Sequence, residues 1–73
     1  MMKAKINLDT GAAIKNFVEI CSRIDERILL VDSDNFCVSA KSLLGAVATM
    51  DWSEVYVVCE KDIRASIMEY LAD

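Results

Sequence analysis

Ser42 stands in the stretch Val38-Ser39-Ala40-Lys41-Ser42-Leu43-Leu44-Gly45, where one kind of pattern gives way to another. Apolar Val38 and Ala40 alternate with polar Ser39 and Lys41, the signature of a half-buried strand. A hydroxyl, two leucines and a glycine follow, which is how a short helix starts. The chemistry open to a serine at such a junction is twofold. Its oxygen can accept from free backbone N–H groups of the first turn, and a phosphate placed on it would meet the positive end of the helix.

The remaining candidates are sparse. Asp9-Thr10-Gly11 offers a second helix start, and Asp9 with Thr10 reads as a cap in preference to a catalytic pair. The chain contains 3 cysteines, Cys21, Cys37 and Cys59, and 0 histidines. An odd number of widely separated cysteines, each inside an apolar pattern, reads as buried reduced thiols. Neither a disulfide framework nor a metal site has the required spacing. Asp25-Glu26 and Asp32 with Asp34 read as turns and solvated edges, and Trp52 as an anchor holding its loop to the core. No glycine-rich phosphate loop, no Ser-His-Asp or Cys-His arrangement and no cofactor motif is present, so neither an enzyme nor a cofactor or metal requirement is expected.

The elements that must position these residues follow from periodicity. The chain has 73 residues, 55% of them hydrophobic, with 2 glycines and no proline, which predicts one tightly packed domain over residues 1–73. Its net charge of −4, with Lys3, Lys5, Lys15, Arg23, Arg27, Lys41, Lys61 and Arg64 scattered, offers no basic stripe for nucleic acid. No apolar run suits a bilayer or a signal peptide, so a cytoplasmic location is expected and no membrane partner. Ala4, Ile6 and Leu8 alternate with polar residues as a first strand. Ile14, Phe17, Val18 and Cys21 recur at helical spacing, predicting a helix from Gly11 or Ala12 to about Arg23. Arg27 to Asp32 and Phe36 to Ala40 read as strands joined by the Ser33-Asp34-Asn35 turn. Leu43 to Thr49 reads as a short helix, Met50 to Ser53 as a loop and Glu54 to Glu60 as a further strand. Ile63, Ile67, Met68 and Leu71 predict a closing helix over about Lys61 to Leu71. The order β-α-β-β-α-β-α predicts a two-layer α+β sandwich with its helices on one face of the sheet.

This order, together with Val38 to Gly45, resembles HPr, the histidine-containing phosphocarrier family of the bacterial sugar phosphotransferase system. The family motif after the third strand is of the form V-N-x-K-S-I-M-G. The resemblance implies an open-faced β-sandwich with an antiparallel sheet of order 1-4-2-3. It also implies that Ser42 matches the serine phosphorylated by a dedicated kinase in many Gram-positive bacteria. Lys41, Ser42, Leu43 and Leu44 then form a surface for protein partners of the phosphotransferase system or of catabolite regulation. One of the two adjacent leucines is expected to stay accessible, since a two-turn helix cannot bury both.

The family's carrier motif, G-[IL]-H-A-R-P, has no counterpart. The corresponding stretch is Leu8-Asp9-Thr10-Gly11-Ala12-Ala13, which puts Thr10 near the histidine position and Ala12 near that of the phosphate-stabilising arginine. A threonine hydroxyl has no nitrogen lone pair for a labile phosphoramidate, and alanine offers no guanidinium fork. The resemblance therefore implies a regulatory or protein-binding member without carrier activity. The competing expectation, of a different class, is a structural protein whose likeness is ancestry only. With strands ordered 1-4-2-3, Leu29, Val31, Tyr56 and Val58 form one apolar patch on the face away from the helices, and that patch predicts a homodimer or a larger assembly.

Overall fold

The computed structural model describes residues 1–72. Its strands are β1 (Met2–Ile6), β2 (Ile28–Val31), β3 (Cys37–Ser39) and β4 (Val55–Cys59), and its helices are α1 (Gly11–Ser22) and α2 (Leu43–Val47). A 3-10 turn, Ala48–Asp51, extends α2, and a second, Met68–Tyr70, lies near the end of the described chain. The strands form one antiparallel sheet in the order β1-β4-β2-β3. The strand order is the one the resemblance implied, and α1, α2 and the α+β class are those predicted from the sequence pattern.

Strict alternation explains the layering. Ile28, Leu30, Val55, Val57 and Cys59 point under the helices and are buried, while Leu29, Val31, Tyr56 and Val58 point the other way and are half-buried. α1 contributes Ile14, Phe17, Val18 and Cys21 from one face, and the Phe17 ring meets Tyr70 edge-on with centroids 5.4 Å apart. Burying a Phe side chain removes enough apolar area to stabilise by about 2–3 kcal/mol, so this stripe fixes the helix to the sheet.

The β2–β3 connection is held by local hydrogen bonds. The Asp32 carboxylate accepts from the N–H groups of Asp34 and Phe36 at 2.8 and 3.0 Å, and Asn35 takes a left-handed φ of 69°, which asparagine tolerates. β3, Cys37–Ser39, is shorter than the Phe36–Ala40 span predicted for it, but the flanking residues still bond to β2 and its turn: Ala40 N donates to Ile28 O at 3.0 Å and Asp32 N to Phe36 O at 3.1 Å.

The predicted closing helix is absent. Residues 64–67 form turns, with i→i+3 bonds from Ser66 N to Ile63 O at 2.9 Å and from Ile67 N to Arg64 O at 3.2 Å. Ile63 and Ile67 enter the core as the pattern demanded, but Met68 is exposed. The cause lies at the other edge of the sheet. Asn7 N donates to Tyr70 O at 2.8 Å and Ala72 N to Lys5 O at 2.9 Å, so the chain straightens to line β1 as a bridge between Ile6 and Leu71. Turns can place apolar groups three or four residues apart as well as a helix does, and they free the backbone to cover that edge.

Candidate functional site

Both helix starts use the same device. Thr10 and Ser42 have extended backbones, and each side-chain oxygen accepts from the N–H three residues on, Ala13 at 3.0 Å and Gly45 at 3.2 Å. Ser42 is exposed, so its hydroxyl faces solvent while it caps. Gly45 is held close to β3: a Cβ there would lie 3.3 Å from Val38 Cβ and 3.5 Å from Ser42 Oγ. The capping turn and the strand therefore approach more closely than a larger residue would allow without adjustment.

Lys41 ties this junction to α1. Its ammonium donates to Ile24 O at 2.6 Å, just past the end of that helix, where a cation complements the negative end of the dipole. Beyond Ser42 the surface becomes apolar. Leu44 is 87% exposed and Leu43 47%, so both leucines are accessible where one was expected. Only Ala46 of α2 is buried. Val47 and Met50 are also exposed, which extends the stripe along the helix and into the 3-10 turn. The spacing of 43, 47 and 50 was the signal for them, obscured by assigning Met50 to a loop.

The stretch matched to the carrier site has no such features. Asp9, Thr10, Gly11 and Ala12 are exposed, Thr10 is occupied as the α1 cap, and Ala12 presents a methyl group in the first turn. A shallow cavity of about 250 Å³ lies alongside, walled by Asn7, Asp9, Trp52 and Glu54 among others. This is smaller than most small-molecule sites, and Glu54 is engaged already by Lys5 at 3.8 Å and by the Tyr56 hydroxyl at 2.7 Å. Trp52 is half-buried against the core, consistent with an anchoring role.

The cysteines divide. Cys21 and Cys59 are buried and Cys37 is exposed on β3, contrary to the expectation of three buried thiols. The side chain of Cys37 falls on the outer face of an edge strand that no helix covers. Burial, with a smaller contribution from nearby Cys59, pushes the Cys21 thiol up to about 12. It stays protonated and unreactive at neutral pH. Among the described residues no cluster of three or more His, Cys, Asp or Glu could hold a metal ion, and no helix is long and apolar enough to cross a membrane.

On the open face, the register pairs Leu29 with Val58 and Val31 with Tyr56, so the four predicted residues are contiguous. They are half-buried, not fully exposed. Lys3 Nζ lies 5.0 Å from the centre of the Tyr56 ring.

No protein-family model and no curated protein matches the chain. Among solved structures it is similar to the crystal structure of HPr-C-His from Thermoanaerobacter tengcongensis, with a TM-score of 0.70 and 22% identity, covering 93% of this chain and 84% of that one. The fold is HPr-like. At that identity the likeness carries the architecture alone, and the function of the site residues rests on their own chemistry.

Proposed function

We propose that this chain is a regulatory protein-docking module of the bacterial cytoplasm, built on the HPr-like fold and without phosphoryl-carrier or enzymatic chemistry. Its docking surface is Lys41, Ser42, Leu43 and Leu44, extended by Val47 and Met50, and its partners are protein components of the phosphotransferase system or of catabolite regulation. The observation that carries this reading is the exposed apolar face of α2, which begins beside a solvent-facing serine. A five-residue helix that buries only Ala46 contributes little to the core, so its leucines are available for contact.

Phosphorylation of Ser42 is the proposed switch. A kinase would move the γ-phosphoryl group of a nucleoside triphosphate to Ser42 Oγ, with the hydroxyl proton passing to a base on the kinase. The product carries roughly −1.5 to −2 charges at the start of α2, beside Leu43 and Leu44. The helix end tolerates that charge, so the fold is kept while the surface changes from apolar to anionic. Partners presenting arginine would then be favoured over purely apolar ones. The histidine-based relay has no residue to carry it: a phosphoserine ester is too stable, and the chain has 0 histidines to form a phosphoramidate.

The test is treatment with the serine kinase that acts on this family, followed by peptide mass spectrometry. Phosphate on Ser42, lost in Ser42→Ala, is the expected result. An unmodified Ser42 beside a fully modified family substrate would remove the switch from this account.

A further inference from the structure

The open sheet face is organised in three rows that the pairing of the strands defines. One row is Lys5, Tyr56, Val31 and Cys37, and the next is Lys3, Val58, Leu29 and Ser39. Stepping one residue beyond the Met2–Cys59 and Ile28–Cys59 pairs brings Met1, Glu60 and Arg27 into a third row on the same face. A cavity of about 210 Å³ lies there, lined by Met1, Arg27, Leu29, Val58, Cys59 and Glu60. Its floor is apolar, and its rim carries the Arg27 guanidinium and the Glu60 carboxylate. Neither Arg27 nor Glu60 makes an ion pair among the described residues, whereas Lys5, Lys61 and Arg64 each do.

We propose that this face is the contact of a two-fold homodimer, in which β4 of one copy lies over β2 of the other and Glu60 faces Arg27 across the interface. The symmetry follows from the charges. A two-fold axis parallel to the strands, between β4 and β2, keeps each row at its own level and exchanges the two strands. Val58 then meets Leu29, Tyr56 meets Val31, and Glu60 meets Arg27 twice over, once from each side. The same operation sets Lys5 over the edge strand β3, next to the acidic turn that bears Asp32 and Asp34. An axis across the strands would lay β4 on β4 and set Lys3 against Lys3, which like-charge repulsion disfavours. This assembly is independent of the α2 surface, which lies on the opposite side of the sheet.

Its strength is bounded by area. Four strands at about 4.8 Å spacing and at most five residues at about 3.3 Å rise give a face of no more than about 320 Å² per copy. That is under half of the ~800 Å² per partner in a long-lived complex, so the dimer forms in a concentration-dependent manner.

Sedimentation equilibrium of the full chain, from tens of micromolar to about one millimolar, reads the proposal directly. The weight-average mass should rise from 8.1 kDa toward twice that value. Arg27→Glu should hold it at the monomer value, since four carboxylates would then meet at the interface. Arg27→Glu combined with Glu60→Arg should restore the rise, and Leu44→Glu should leave it unchanged. A wild-type chain that stays monomeric to about one millimolar overturns the proposal and leaves the face to a different partner. So does a double variant that stays monomeric while its circular dichroism is native, or a Leu44→Glu variant that loses association.

Discussion

α1 and α2 begin alike and are used differently. Each opens with a hydroxyl that accepts from the third N–H along, yet α1 drives Ile14, Phe17, Val18 and Cys21 into the core while α2 contributes Ala46 alone. The difference teaches that capping locates a helix without assigning its task. At the start of α1 the exposed residues are Gly11 and Ala12, which offer a partner nothing to recognise. At the start of α2 they are Ser42, Leu43 and Leu44, which offer a modifiable oxygen and an apolar surface. One helix holds the molecule together and the other is free to act.

The contrast breaks most visibly under truncation. Phe17→Ala should destabilise by about 3–5 kcal/mol, read as a fall in the urea midpoint, whereas Leu44→Ala should change stability by less than about 0.5 kcal/mol. A large loss at Leu44 would place α2 in the core and remove it as a docking surface.

Alkaline pH probes the buried side next. The Cys21 thiol is raised from 9.0 to about 12 in the folded state, so its contribution is fully present below about pH 9. Between there and about pH 12 the unfolded chain has lost that proton while the folded chain keeps it, and stability declines. Urea midpoints measured across this range should fall with pH, and Cys21→Ala, though less stable at neutral pH, should fall less steeply.

The caps themselves give a smaller effect. Thr10→Ala should cost about 1 kcal/mol, because it loosens a helix that carries four core residues. Ser42→Ala should cost less, because α2 anchors little, and differential scanning calorimetry would rank the two. An equal or larger loss at Ser42 would mean that the capping turn, through Gly45 and Val38, supports β3 more than its burial suggests.

Thiol chemistry separates the surfaces with no effect on stability. One equivalent of thiol, at Cys37, should react quickly with a disulfide reagent in the native protein. Cys21 and Cys59 should react only on unfolding.

Periodicity made most of the architecture legible. Alternation marked β1, β2 and β4, and the 3- and 4-residue spacing of Ile14, Phe17, Val18 and Cys21 marked α1 with its buried face. It misled after Lys61. Ile63 and Ile67 are core residues at a helical spacing, yet turns present them equally well, and no local signal announced that Tyr70 and Ala72 would bond to Asn7 and Lys5. Those bonds join residues more than sixty positions apart, which a local pattern does not encode. Cys37 was misread for a related reason, since apolar neighbours do not say which face of an edge strand is left open. At the candidate site, Ser42 was legible because a cap is local. The reach of the surface to Val47 and Met50 depended on the 3-10 turn that continues α2, and the pairing of Arg27 with Glu60 depended on register.

Under the proposed function, partners dock on α2 and not at the start of α1. An amide chemical-shift titration of the labelled chain with the family's serine kinase tests it most directly. The largest shifts should cluster from Lys41 to Met50 and vanish in Leu44→Glu. Shifts centred on Asp9 to Ala13, or on the open sheet face, would contradict docking on α2.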